Sequence, residues 1–198
     1  MRFSEALEQI AEIHERLACV DVYRGFRSVP VAVSGLCGLL AALFQTVAAP
    51  MEPLQTLRFW IAVGLVSGAI GLSDAVTRFL FVDGAHGRRQ TRRVLGQFAP
   101  CMVAGVAVTL GFHRLGPSYW GLLPGLWTLL FGLGVFAARP SLPRAAGWVG
   151  LYYLTIGGAL LVFADPAEIG LAFGWSVGAT FLIGQLAAAW VLYWNLER

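Results

Sequence analysis

Six apolar stretches punctuate the chain, at roughly residues 28–49, 58–80, 95–113, 119–138, 146–164 and 169–194. Each meets or approaches the ~20 mostly apolar residues that carry an α-helix across a hydrocarbon core. The runs are too long for strands and lack the period-two alternation of an outer-membrane barrel. The pattern therefore predicts an all-α, polytopic integral membrane bundle of six transmembrane helices, occupying residues 28–198 as one domain with short connections. Ahead of it, residues 1–27 form a separate unit built around a short amphipathic helix. Phe3, Leu7, Ile10, His14 and Leu17 recur at heptad-like spacing, and Glu5, Glu8, Glu12 and Glu15 lie largely elsewhere around the helix. Ser4 is a plausible N-cap, with Glu5 and Glu8 in the favourable first turn. The acidic polar face argues against adsorption to anionic headgroups. It favours packing on the mouth of the bundle, with pairing to a second copy or docking of a cytoplasmic partner as alternatives. Acidic residues in this position do not suit a cleaved signal peptide, so the first span is expected to serve as an uncleaved anchor.

Composition agrees with the pattern. Of 198 residues, 58% are hydrophobic and 13% charged, where a soluble domain carries about a quarter charged residues. The net charge of +3 would suggest an anionic partner in a soluble protein, but all fourteen basic residues are arginines placed between apolar runs. Arg2, Arg16, Arg24, Arg27, Arg78, Arg88, Arg89, Arg92, Arg93, Arg139, Arg144 and Arg198 fall on one side of a six-span topology and only Arg58 and Arg114 on the other. That bias places both termini in the cytoplasm, in the inner membrane of a bacterium, and accounts for the arginines without nucleic acid. Trp60, Tyr119 and Trp120 at the outer ends, and Trp148, Trp190, Tyr193 and Trp194 at the inner ends, are expected to form interfacial belts.

Glycines recur at helical spacing in "GLVSGAIG" (Gly64, Gly68, Gly71) and "GLAFGWSVG" (Gly170, Gly174, Gly178). Such rows let helices approach closely, within the bundle first and between copies or to another membrane protein second. A faint likeness between residues 48–64 and 137–158 raises an inverted repeat of spans one to three with four to six.

Candidate chemistry is sparse. Asp74, the one acidic residue inside a span, costs energy there and is by default functional, but Arg78 four residues on offers a local ion pair. The connection "VDGAHGRRQTRR" reads as a tight hairpin around Asp83-Gly84. Its Arg88, Arg89, Arg92 and Arg93 set orientation, with a grip on lipid phosphate or a cytoplasmic partner as the functional alternative. Gln97 beside Pro100, Trp127, Trp175, Thr180 and Gln185 are candidates for lining a cavity at the bundle centre near proline breaks. They are equally candidates for interhelical hydrogen bonds.

His14, His86 and His113 share no ligand spacing, Cys19, Cys37 and Cys101 share no CxxC, and no HExxH is present. No metal site, cofactor or catalytic residue is therefore expected. The Asp-Gly of the connection lacks the further aspartates of phosphatidyl-alcohol transferases, and no intramembrane serine has a histidine to activate it. The function expected first is a non-enzymatic accessory, scaffolding or regulatory membrane subunit with a cytoplasmic docking surface. The second is a small-solute transport component with a central pocket, and the third a lipid-active membrane enzyme using Asp74 or the arginine-bearing connection. In size and span count alone, the chain is similar to the substrate-capturing subunits of vitamin-type ECF uptake systems.

Overall fold

The computed structural model describes Tyr23, residues 25–48 and residues 50–198; the amphipathic arm expected over residues 1–22 lies outside the described residues. Six helices are long and apolar enough to cross a membrane, and no strand occurs among the described residues. They are α1 (Ser28–Ala48), α2 (Pro53–Thr77), α3 (Ala85–Leu115), α4 (Leu123–Ala138), α5 (Ala146–Phe163) and α6 (Leu171–Leu192).

Local chemistry explains most of the boundaries. α2 starts five residues earlier than its apolar run because Pro53 at the first helical position pre-sets φ and sacrifices no needed donor. Glu52 and Gln55 close a capping box over that end. At its far end a π-helical turn, Arg78–Val82, carries the chain to Asp83. α4 has only 16 residues, fewer than a span requires. Short 3-10 turns, Pro117–Leu122 and Arg139–Ser141, extend it on both sides. Gly116, with φ of 99°, terminates α3 in a conformation that a side chain would strain.

The connection between α2 and α3 differs from the expected hairpin. Only Asp83 and Gly84 are non-helical, and α3 begins at Ala85, so the arginines at 88, 89, 92 and 93 lie on a helix. Nothing after Gly84 breaks a helix until Pro100, and the helix continues through that proline. Pro124 likewise interrupts nothing, since it sits in the first turn of α4.

Two antiparallel pairs form the centre of the bundle, α1 with α6 and α4 with α5, while α2 packs on the outer side of α1 and α3 on that of α4. α5 meets α6 to join the halves. Glycine makes the pairs close. At the first seam a methyl added to Gly35 would lie 2.8 Å from Gln185 Cβ, and one added to Gly178 would lie 2.8 Å from Ala42 Cβ and Gly38 O. At the second seam Gly132 faces Tyr153, and Gly157 faces the backbone of Leu129. The "GLAFGWSVG" row thus packs inside the bundle as expected. Gly64 and Gly68 of the other row have nothing within 4 Å of an added methyl. Helix α2 meets α1 through residues such as Leu57, Trp60 and Gly71, and the Gly64 side faces outward. The expected correspondence of spans one to three with four to six maps the two closest helix pairs onto looser ones.

Candidate functional site

The arginine-rich end of the bundle holds the charged groups. Asp74, near the end of α2, meets Arg27 (Nε to Oδ2, 3.7 Å), the residue just before α1. The expected partner Arg78 is not the one used, because the tail preceding α1 brings Arg27 across to α2. Both partners are substantially exposed, so the pair adds about 0–1 kcal/mol.

Glu197 acts on the same corner. Its carboxylate accepts a hydrogen bond from Ser28 N at 2.7 Å and one from Ser28 Oγ at 2.8 Å. A carboxylate from the end of the chain thereby satisfies the start of α1, where unpaired amides and the helix dipole favour negative charge. Phe26, Arg27, Arg78, Leu196 and Glu197 line a cavity of about 370 Å³ between the start of α1 and the ends of α2 and α6.

Beside it, Tyr23 is tied into the bundle from three directions. Its amide donates to Ser141 O at 2.9 Å, its ring stands edge-on to Phe26, and its hydroxyl accepts from Thr91 Oγ1 at 3.0 Å. Burial raises the phenol above the usual tyrosine value, Asp83 adds to the rise, and the Thr91 hydrogen bond and Arg78 oppose it.

Arg88 and Arg92 both lie over the Phe79 ring, at 5.9 and 5.8 Å. Arg88 also donates to Asp83 O and Leu80 O, closing the end of the π turn. Arg89 and Arg93 are exposed on the same helix. The four arginines are therefore not one converging cluster.

The candidates for a central cavity are not brought together. Gln97 accepts from Ser141 Oγ at 3.1 Å, near the arginine-rich end. Trp127 donates to Thr109 Oγ1 at 2.9 Å across the α3–α4 seam and stands edge-on to Phe173. Thr180 is buried, and its carbonyl accepts from the Tyr152 hydroxyl at 3.1 Å. Gln185 packs against Gly35. Trp175 is 38% exposed and turned outward. Gln97, Trp127, Thr180 and Gln185 thus make packing contacts between segments, the alternative the sequence offered, and Trp175 faces outward; the five do not line a common cavity. A second cavity, of about 460 Å³, lies at the other end of the bundle between α5 and α6. Leu160, Phe163, Phe173 and Ser176 line it, with Asp165 and Glu168 alongside. None of the candidates lines it.

Two buried features escaped the sequence reading. Gln45 of α1, 3% exposed, donates to Gly170 O at 3.1 Å and accepts from Trp60 Nε1 at 2.7 Å. One amide thus ties α1 to α2 and to the start of α6. A methyl on Gly174 would fall on Gln45 Oε1. A lone glutamine inside "LLAALFQTVAA" was the available signal. Tyr153 is fully buried against Phe131 and Phe181, its ring fitting where Gly184 has no side chain, and its hydroxyl has no hydrogen-bond partner.

Trp60 also corrects the expected outer belt, since it and Trp120 are core residues at 2% and 3% exposure. Their ring N–H groups find acceptors inside, Trp60 on Gln45 and Trp120 on Phe112 O. Tyr119, and Trp148, Trp190, Tyr193 and Trp194 at the opposite helix ends, are exposed as an interfacial belt requires. No group of three metal-ligating side chains occurs among the described residues. Comparison with known protein families, curated proteins and solved structures yields no match.

Proposed function

We propose that this chain is a multi-pass protein of a bacterial cytoplasmic membrane, with both termini cytoplasmic, and that it acts as a non-enzymatic accessory, scaffolding or regulatory subunit. The observation that carries this reading is where the polar side chains of the helices go. Gln45, Trp60, Thr109, Trp127, Tyr152 and Ser141 are engaged in bonds that hold helix to helix. Thr46, Thr128, Thr155 and Ser176 bond back to carbonyls of their own helices. Chemistry or ion coupling inside a bilayer needs polar groups set aside for it; those named serve packing, and the buried groups without a partner among the described residues are three scattered neutral hydroxyls, of Thr56, Ser67 and Tyr153.

The docking surface of this reading is the arginine-rich end, where residues 1–22 precede the bundle and Arg89 and Arg93 stand exposed. Its test is affinity purification of the tagged full chain from native membranes, beside a form lacking residues 1–22. Loss of the same copurifying protein on deletion, and on replacing Arg89 and Arg93 with glutamine, supports the reading. An unchanged set of copurifying proteins and an unchanged complex size would sink it.

A small-solute transport role is the second reading, and the apolar cavity between α5 and α6 is the feature that favours it. Uptake into proteoliposomes that is lost on Phe173→Ala, with complex size unaltered, would replace the first reading with the second.

A further inference from the structure

The cavity at the arginine-rich end joins an arginine without an ion-pair partner among the described residues to a particular depth. Two arginines and one glutamate line it. Glu197 already accepts two hydrogen bonds from Ser28, and Arg27 is already paired with Asp74. Arg78 has no ion-pair partner among the described residues. Its guanidinium is thus held by no carboxylate of the described residues, and Glu197, whose two bonds come from Ser28, lines the same cavity.

Its depth follows from the residues after it. Leu80, Phe81 and Val82 are exposed apolar side chains, at 52, 81 and 68%, and the helical turn carrying them ends at Asp83. With exposed apolar surface beyond it, Arg78 sits about one helical turn, or roughly 6 Å, inside the apolar limit of the helix. On the membrane reading, on which this inference rests, that is just below the glycerol and phosphate groups of the cytoplasmic leaflet, within reach of an arginine side chain. A guanidinium there snorkels toward the interface and needs an anion. The bilayer supplies one as a phosphodiester, whose oxygens match the guanidinium fork. The remaining lining suits the rest of a lipid, because Phe26 and Leu196 are apolar.

We propose that this cavity is a binding site for the phosphate of an anionic phospholipid, with Arg78 as the phosphate ligand and Phe26 and Leu196 against the glycerol and first methylenes. Asp74 and Glu197 set its selectivity. Asp74 holds Arg27 and Glu197 lines the cavity as a carboxylate, so further phosphates on a headgroup are repelled and phosphatidylglycerol, with its single phosphodiester, fits better. This site differs from the exposed arginines of α3, two of which are taken up over Phe79.

The test uses the full chain in mild detergent, with dioleoyl-phosphatidylglycerol added and retention read by native mass spectrometry. The controls are a diacyl glycolipid without phosphate and inorganic phosphate. Wild type is expected to retain phosphatidylglycerol over the glycolipid, and Arg78→Gln to retain roughly fivefold less, the effect of one arginine at an anionic surface. Arg78→Lys keeps most of the binding, which separates charge from fold. Equal retention by wild type and Arg78→Gln overturns the proposal, as does an equal loss on Arg89→Gln, which would mark diffuse attraction to the basic end. Displacement of the lipid by millimolar inorganic phosphate also overturns it, since the site would then take the free anion. Resistance of both forms to alkaline extraction from membranes keeps the membrane reading standing while the site alone is judged. Extraction of wild type by alkali is failure of the membrane reading itself, and the lipid proposal falls with it.

Discussion

Gln45 and Tyr153 are two fully packed polar residues with opposite expectations. The amide of Gln45 has both its donor and its acceptor sides engaged between α1, α2 and α6. Replacing it by leucine removes two interhelical bonds of about 0.6 kcal/mol each and leaves the Trp60 N–H buried without an acceptor. A lower midpoint of thermal unfolding in detergent and altered Trp60 fluorescence are expected. The hydroxyl of Tyr153 has no partner, so Tyr153→Phe removes only a desolvation cost and should leave the midpoint unchanged or raise it. A fall comparable to that of Gln45→Leu would show that the hydroxyl does have a partner in the membrane.

Tyr23 carries a pH dependence. Its phenol is raised above the ordinary value of 10.0, chiefly by burial, so folding favours the protonated form. The resulting stabilisation is fully present below the unfolded pKa near 10 and is lost as pH rises through the higher folded value. Unfolding midpoints of the wild type should therefore fall more steeply above pH 10 than those of Tyr23→Phe, and the two curves should run parallel at neutral pH. None of this could be read from the chain. A tyrosine before the first span looks like one of many interfacial aromatics, and only the tertiary placement of Thr91 and Ser141 gives it an inside.

Two helix faces bear similar glycine rows and have different fates. On α6, Gly174 and Gly178 lie against Gln45 and Ala42, and on α2, Gly64 and Gly68 lie open. Gly178→Leu should lower the unfolding midpoint strongly, because the side chain meets backbone rather than a movable tip. Gly64→Leu and Gly68→Leu should fold normally, and equal damage from all three would show that α2 has a partner on its open side. Sequence spacing identified both rows as surfaces for close approach but could not say which one another helix of the same chain would meet. That choice depends on which neighbours α1 and α6 leave available.

Helix ends show a similar division. The apolar runs located all six helices, because a bilayer length of uninterrupted hydrophobicity has few alternative structures. They misplaced the start of α3 by ten residues, since polarity marks where a hydrophobic slab ends and not where a helix does. The arginines of residues 88–93 continue the helix because nothing in that stretch breaks it.

For the molecule entire, the arginine distribution makes a topological prediction. A reporter that is active only outside the cytoplasm should be silent after Arg198 or within residues 83–93, and active between Arg114 and Tyr119 or at Pro166. Activity in the reverse pattern would invert the bundle and move the Arg78 cavity to the outer leaflet.

The sequence by itself determined the helical class, the number of helices long and apolar enough to cross a membrane, and the bias of positive charge, because these follow from summed hydrophobicity and charge along the chain and need no knowledge of neighbours. Only the tertiary structure decided that Asp74 belongs to Arg27 while Arg78 has no ion pair among the described residues, that Trp60 and Trp120 are core, and that the candidate cavity residues are dispersed rather than gathered. Each of those outcomes depends on which side chains distant segments bring within about 4 Å, and the pairing of α1 with α6 joins residues nearly the whole chain apart.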